Sequence, residues 1–270
     1  MIRNILFLLL VLIATPTMAQ SDNIKKKVHY NAFSHNDYTR KRPLMDAYDR
    51  GFNCVEADLW YIGGKLYVYH DRPLMPSRDR IFEKMYLEPL IKLIEQNGGR
   101  VHERGRKPFM LMIDCKSDGE EMLPALERAL EPYKELLCRV ENGSYKKGAI
   151  LIFLSGKSPR KTILERGEGF LFIDGVIPDI GKGYDSHMMP VISHNYAAIC
   201  KWRGKGEMPQ EELEKMREII RNAHHEGKLF RWWGAPDTKE FKRLFIREGV
   251  DLIGADNLDI LIEVLENKEK

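Results

Sequence analysis

The sequence predicts a single (β/α)8 barrel, on the basis of three observations. Strand-length apolar runs alternate with amphipathic helical segments, with no linker, repeat or low-complexity stretch between them. Several runs are almost continuously apolar, as expected for parallel strands that helices cover, and residues 150–154 are the clearest case. The roughly 250 residues that follow a predicted leader are a normal length for such a barrel.

Eight strands and five helices are predicted in alternation. The strands are placed at residues 29–35, 53–60, 109–116, 149–155, 169–174, 190–194, 228–233 and 251–255. The helices are placed at residues 86–96, 123–137, 210–226, 237–248 and 258–266. A doubly wound open sheet is the alternative. It requires a glycine-rich first turn, whereas the first strand here ends in Ser34-His35-Asn36-Asp37.

A hairpin is predicted within the second strand region. Gly63 and Gly64 separate two strand-like runs, and a glycine pair in that position is typical of a tight β-turn. We therefore expect the chain to fold back here, so that His70 returns to the rim where the second strand ends.

Residues 1–19 are predicted to be a secretory signal peptide. Arg3 precedes an apolar run at residues 5–14, and small residues around Ala19 follow that run. The run is too short to span a bilayer. This pattern predicts a periplasmic or secreted protein whose single catalytic barrel occupies residues 20–270.

The composition argues against nucleic-acid and membrane-spanning roles. The net charge is +3, the short run at Lys25-Lys26-Lys27 is typical of a solvated terminus, and later apolar runs are only strand-length. We expect no nucleic-acid partner and no stable membrane insertion. The four cysteines lack a zinc-like spacing and favour free buried thiols, although export also permits a disulfide.

Three carboxylates are placed at the rim where barrel enzymes carry their sites. Glu56 and Asp58 are two residues apart on one strand and so share a face, and Asp114 lies near the end of the next strand. Oxygen ligands suit Mg²⁺ or Ca²⁺, and three neighbouring negative charges favour a cation. We therefore predict one divalent cation on these three residues.

Two histidines and a lysine accompany the carboxylates. His35 and His70 lie at predicted strand ends, and imidazole both gives and takes protons near neutral pH. Lys116 shares a face with Asp114 and is suited either to pair with a carboxylate or to meet an anionic substrate oxygen. Asp37 and Asp71 are candidates to orient the two imidazoles. Each motif alone is weak, whereas their joint placement on the first three strands predicts a phosphate-processing site.

Trp232 and Trp233 end the seventh strand, and by alternation only one of them points inward. Asp256 follows the last strand and is placed within reach of the same rim.

The ordered motifs resemble the phospholipase-C-like phosphodiesterases, which include glycerophosphodiester phosphodiesterases, phosphatidylinositol-specific phospholipase C and sphingomyelinase D. The motifs that carry the resemblance are His35-Asn36-Asp37, Glu56-Ala57-Asp58, His70-Asp71, Asp114-Cys115-Lys116, Trp232-Trp233 and Gly249-Val250-Asp251. The His-Asn-Asp-Tyr form is similar to the altered-inheritance-of-mitochondria branch. The third ligand is Asp, as in sphingomyelinase D.

The resemblance implies a role for each matched residue. His35 and His70 match the acid/base pair of the family. The three metal ligands of the family are matched by Glu56, Asp58 and Asp114. Lys116 matches the lysine on the phosphate side, and Trp233 lies at the late tryptophan. Asn36 stands where the family has a phosphate-contacting arginine.

The expected function is that of an exported, metal-dependent phosphodiesterase acting on a glycerophosphodiester or a phospholipid head group. The resemblance implies that an internal hydroxyl attacks first and gives a cyclic phosphate. The alternative is a non-catalytic barrel that binds a phosphorylated ligand. It is motivated by the absence of the family arginine and of the Glu-Asn pair that follows that arginine in the family. A glycosidase using Glu56 and Asp114 is a third hypothesis, but it leaves both histidines and Lys116 without a role.

Overall fold

The computed structural model describes residues 27–267. The predicted signal peptide lies outside the described residues, so the export prediction remains a prediction. No helix in the described range is both long and apolar enough to cross a membrane.

Eleven strands occur in the described residues. They are β1 (His29–Ser34), β2 (Phe52–Ile62), β3 (Lys65–Val68), β4 (Phe109–Cys115), β5 (Arg139–Glu141), β6 (Ser144–Lys146), β7 (Ile150–Gly156), β8 (Leu171–Gly175), β9 (Val191–Asn195), β10 (Leu229–Trp233) and β11 (Leu252–Ala255).

Eight parallel strands form a closed barrel, as predicted. They follow one another in the order β1, β2, β4, β7, β8, β9, β10 and β11, and β1 also pairs with β11. Ser34 is aligned with Val55 on one side and with Ala255 on the other, so the sheet has no free edge at β1. The open-sheet alternative is therefore wrong. All carboxyl ends of the barrel strands meet at one mouth.

The predicted hairpin is confirmed. β2 and β3 pair in antiparallel fashion, with Leu59 opposite Val68, and the turn between them contains Gly63 and Gly64. Both glycines have positive φ angles, 55° and 82°, which glycine adopts without steric cost. The backbone N–H of Tyr69 donates to the carbonyl of Asp58, so the chain passes beside the end of the barrel before it reaches His70.

Eight α-helices are found in the described residues. They are α1 (Met45–Tyr48), α2 (Glu88–Gln96), α3 (Gly119–Leu130), α4 (Arg160–Arg166), α5 (Tyr196–Ile199), α6 (Gln210–His225), α7 (Lys239–Arg247) and α8 (Leu258–Glu266). The last helix has the predicted bounds, and the Asn257 side chain caps it by accepting from the N–H groups of Asp259 and Ile260.

The predicted helix at residues 123–137 is partly wrong. α3 begins earlier, where the Asp118 side chain accepts from two backbone N–H groups, and it ends at Leu130. A 3-10 turn, Glu131–Leu136, follows it. Pro132 has no N–H for an α-helical hydrogen bond, which explains the change of geometry.

The core lies in and around the barrel wall. Central strand residues such as Leu111 and Phe153 are fully buried, as expected when helices cover a parallel sheet. All four cysteines are free and buried, in agreement with the favoured prediction.

Candidate active site

The structure brings the three predicted carboxylates together. Glu56 and Asp58 extend from β2, and Asp114 from β4, where it is the register partner of Asp58. One oxygen from each side chain lies within 4.8 Å of the others. Glu56 and Asp58 are only 4% and 1% exposed, so the cluster is a largely desolvated group of acids at the barrel mouth.

Room for this cluster depends on Gly156 at the end of β7. A Cβ atom at this position would stand 1.9 Å from Asp114 Oδ1, and the φ angle of Gly156 is +65°. A side chain at residue 156 would therefore displace the Asp114 carboxylate as well as strain the backbone.

Three basic side chains lie near the negative charge of the cluster. Lys116 Nζ lies 2.9 Å from Asp58 Oδ2 and 2.7 Å from Asp114 Oδ2. Burial raises the pKa of Glu56, while the nearby charges of Arg231 and His35 oppose that rise.

The donor set fits a hard divalent cation. Asp58 Oδ1 is buried and has no hydrogen-bond partner among the described residues, which is a costly arrangement for a lone carboxylate oxygen. Oxygen ligands of this kind suit Mg²⁺ or Ca²⁺. Glu56, Asp58 and Asp114 are the residues that would hold the ion.

His35 follows β1 and is held at its Nδ1 atom. That atom lies 2.7 Å from Asp256 Oδ1, while Nε2 lies 3.6 Å from Glu56 Oε2. Burial lowers the pKa of His35, but the hydrogen bond to Asp256 and the charges of Glu56 and Asp256 outweigh burial and raise the pKa overall.

His70 follows β3 and is also engaged through Nδ1. This atom lies 3.0 Å from Asp58 Oδ2 and 3.1 Å from the hydroxyl of Tyr38. The side chain is 63% exposed, so its ring is accessible from the cavity. Both predicted histidines therefore contact the carboxylate cluster, each with Nδ1 occupied.

Asn36 contributes to the site mainly through its backbone. Its N–H donates to Glu56 Oε2 at 2.8 Å, and its φ of 49° is a conformation that asparagine tolerates better than most residues. Its side-chain oxygen accepts from the Tyr38 hydroxyl at 2.7 Å. The predicted substrate-binding side chain is thus already part of a hydrogen-bond network.

Tyr38, in the 3-10 turn that follows β1, joins these groups. Its hydroxyl lies 2.8 Å from Asp58 Oδ2 as well as close to Asn36 and His70. It is 2% exposed. Tyr38 was not identified as a site residue from the sequence, because nothing in the pattern of a short 3-10 turn shows where its tyrosine points.

A cavity of about 670 Å³ opens over the cluster. Besides the predicted residues His35, Asn36, Glu56, Asp58, His70, Asp114, Lys116 and Trp233, its lining includes Arg231 and Asp174. Trp233 is 45% exposed at the rim, whereas Trp232 is buried against the rings of Phe230 and Tyr196. As the strand alternation predicts, only one of the two tryptophans faces the site.

Arg231 and Asp174 were not identified as site residues from the sequence. Burial raises the pKa of Asp174 to about 6, and Arg231 is 4% exposed. The available signal was a charged residue within an otherwise apolar strand.

The two predicted orienting acids do not contact the histidines. Asp37 is fully buried and accepts from the backbone N–H of Leu44 and the hydroxyls of Ser34 and Tyr86. Asp71 is exposed and lies outside the cavity lining. Asp256 and Asp58 contact His35 and His70 instead. Asp37 begins a 3-10 turn in which its carboxylate is buried, and Asp71 is exposed to solvent.

Comparison with known proteins gives one family and several relatives. The AIM6-like phosphodiesterase domain matches residues 21–174. The altered inheritance of mitochondria protein 6 homolog of Arthroderma benhamiae is 25% identical over 255 residues, covering 84% of this chain and 81% of that protein. Altered inheritance of mitochondria protein 6 of Saccharomyces cerevisiae is 27% identical over 270 residues, covering 83% of this chain and 68% of that protein.

The fold is similar to that of a solved glycerophosphodiester phosphodiesterase from Parabacteroides distasonis. The TM-score is 0.55 with 11% sequence identity, over 89% of this chain and 98% of that one. At this identity the likeness concerns the barrel fold alone. The family match covers more than half of the residues, and the chain therefore belongs to the AIM6-like phosphodiesterase domain family.

Proposed function

We propose that this protein is an exported, metal-dependent phosphodiesterase that cleaves a glycerophosphodiester or a phospholipid head group. The observation that carries this proposal is the convergence of His35 and His70 on one carboxylate cluster. Each histidine contacts a different acid of that cluster, Glu56 at 3.6 Å and Asp58 at 3.0 Å. The family match supports phosphodiester chemistry, and the predicted signal peptide supports export.

The cation and the basic residues would act on the phosphate. A divalent cation on Glu56, Asp58 and Asp114 would stabilise the negative charge that develops on a phosphate oxygen. Lys116, which lines the same cavity beside Asp58 and Asp114, is placed to attract the anionic diester before reaction.

The histidines would move the protons. Because Nδ1 of each ring is engaged, Nε2 is the atom left to exchange a proton with substrate in both cases. One imidazole takes the proton from the attacking hydroxyl or water, and the other gives a proton to the leaving alcohol. Asp256 holds the ring of His35 in position. Attack by an internal hydroxyl, with a cyclic phosphate as first product, is part of the proposal.

Activity measurements on the mature protein test the proposal. A set of diverse phosphodiesters is assayed with Mg²⁺, with Ca²⁺ and with a chelator. We expect hydrolysis that requires the cation, and a loss of 10²- to 10⁴-fold for His35→Ala and for His70→Ala. His225→Ala is the matched control, because His225 is exposed on α6 and lies outside the cavity.

Cation binding is tested separately by thermal unfolding. Ligands that bind only the folded state raise the melting temperature with concentration. We expect Mg²⁺ or Ca²⁺ to stabilise the protein and Asp58→Asn to abolish that effect, whereas Asp71→Asn retains it. Cation binding without turnover of any diester would instead support the non-catalytic binding protein. Full activity in both histidine variants would exclude the proposed chemistry.

A further inference from the structure

Arg231 is a buried charge that faces the candidate active site. It lies in β10, where side-chain alternation places it on the same side as Trp233 and opposite Trp232. It is 4% exposed and lines the cavity that contains the carboxylate cluster. A charged side chain at such a position requires a physical explanation.

The guanidinium has no polar partner within residues 27–267. Its Nε atom is buried without a hydrogen bond, and its side chain forms no ion pair in this range. The Phe33 ring covers one face, with its centroid 4.4 Å from Cζ. That contact satisfies the π face of the group but not its N–H donors, which lie in the guanidinium plane.

Arg231 lies near other charged groups of the site. Its positive charge acts on His35, Glu56 and Asp174. A purely structural arginine would be expected to pair with one of these carboxylates, since an unpaired buried charge is costly. Arg231 forms no such ion pair among the described residues.

The other basic residues in the cavity are already engaged. Lys116 contacts two carboxylates, and Arg160 forms an ion pair with Asp179 at 2.7 Å. Asn36 carries no charge, and its amide oxygen accepts from Tyr38. Among the described lysines and arginines that line this cavity, Arg231 is the one that forms no hydrogen bond or ion pair.

We propose that Arg231 binds a non-bridging oxygen of the substrate phosphate, an inference that rests on the proposed function. Guanidinium groups match phosphate oxygens in geometry and form short, charge-assisted hydrogen bonds. Arg231 thus holds the diester in the cavity that His35 and the acidic cluster also line. No proton moves to or from Arg231 in this role.

Inhibition by inorganic phosphate measures this contact directly. The phosphodiester found in the activity screen serves as substrate, and phosphate serves as competitive inhibitor of the cation-loaded enzyme. We expect Arg231→Met to weaken phosphate inhibition by 10- to 100-fold and to raise KM similarly. Arg231→Lys keeps the positive charge but lacks the planar guanidinium group, so it should weaken phosphate inhibition less than Arg231→Met does. Lys157→Met is the control, because Lys157 is an exposed cation beside the same mouth that lies outside the cavity lining.

A purely structural role gives a different result. If Arg231 were purely structural, Arg231→Met would lower the melting temperature but leave the phosphate inhibition constant of the folded fraction unchanged. An electrostatic effect on His35 alone would shift the pH profile, whereas a lost phosphate contact weakens inhibition at every pH. If Arg231→Met fails to fold, unchanged phosphate inhibition in Arg231→Lys overturns the inference.

The two proposals fail in distinguishable ways. Diester hydrolysis with unchanged phosphate inhibition in both Arg231 variants would leave the proposed function intact and show the inference to be wrong. Calorimetric binding of phosphate that depends on Arg231, in a wild-type protein that hydrolyses no diester, would leave the anion site intact and exclude the enzymatic function.

Discussion

His35 Nδ1 lies 2.7 Å from Asp256 Oδ1, so that two ionisable side chains join the first and last strands of the barrel at their carboxyl ends. Residue 35 directly follows β1, and residue 256 directly follows β11. The pair therefore connects the candidate active site to the closure of the sheet, and its strength should depend on pH.

The first prediction concerns the pH dependence of stability in Asp256→Asn. The pKa of His35 is raised, so its contribution to the free energy of unfolding is complete below pH 6.5 and is lost as the pH rises through the raised pKa. The pKa of Asp256 is lowered, mainly by the hydrogen bond from His35, so its contribution is complete above 3.8 and is lost in stronger acid. Asp256→Asn should therefore reduce the free energy of unfolding most near pH 5.5 and less at pH 9.

Urea denaturation in the presence of a chelator measures this difference. Asp259→Asn is the control, because Asp259 pairs with Arg50, whose charge does not change between these pH values. The cost of the control substitution should be equal at pH 5.5 and pH 9. An equal cost of Asp256→Asn at both pH values would contradict the assignment.

A second prediction compares two glycines with nearly identical backbone conformations. Gly156 and Gly167 have φ angles of +65° and +66°, but only Gly156 has Asp114 within reach of an added Cβ. Gly167→Ala should cost roughly 1–2 kcal/mol of stability through backbone strain alone and leave activity unchanged. Gly156→Ala should cost at least as much and also abolish the stabilisation by Mg²⁺ or Ca²⁺, because the Asp114 carboxylate must move. Cation titrations followed by thermal unfolding test the pair.

Lys116 provides a third prediction. Burial lowers the pKa of this lysine, but hydrogen bonds to Asp114 and Asp58 outweigh burial and raise it overall. Lys116→Met should lower the melting temperature strongly in a chelator, because the carboxylates then repel one another. Saturating Mg²⁺ should reduce that deficit, since the cation also neutralises the acids. A deficit that is the same with and without cation would show that Lys116 and the ion do not share the cluster.

The fourth prediction separates the two neighbouring tryptophans. Trp233→Ala should leave stability nearly unchanged and raise KM roughly three- to tenfold through a lost aromatic contact. Trp232→Ala should cost about 3–5 kcal/mol of stability, because its ring fills the space between β10 and the covering helices. Steady-state kinetics and urea denaturation of both variants give the comparison, and a larger KM effect from Trp232→Ala would reverse the assignment.

Much of the acidic cluster could be predicted because it depends on strand alternation. Glu56 and Asp58 share a face by their spacing, and the parallel register aligns Asp58 with Asp114. Two apolar runs ending in acids are therefore sufficient to indicate the cluster. The Gly63-Gly64 turn also shows locally that the chain returns toward His70.

The partners of the histidines depend on longer-range geometry. The register of β1 against β11 decides that Asp256 reaches His35, and no local pattern reports that register. Tyr38 reaches Asp58 because of the curvature of a short 3-10 turn. Arg231 was visible as a charge within an apolar strand, but its lack of a hydrogen-bond partner became clear only from the structure.

Some elements were missed, for different local reasons. Asn142-Gly143 is a typical hairpin turn, and it connects β5 and β6, which the strand pattern had not revealed because both strands are only three residues long. α4 has only one buried residue, Ile163, so its amphipathic pattern is too weak to detect.

Barrel closure has a consequence for the nascent chain. The acidic cluster and His70 are all encoded before residue 115, but Asp256 and Arg231 arrive only with the last two strands. A chain released from the ribosome without those strands would carry the acids but neither the support for His35 nor the buried guanidinium. The proposed catalytic activity would therefore require the complete barrel. A truncated or circularly permuted protein in which β1 and β11 are not paired would be inactive.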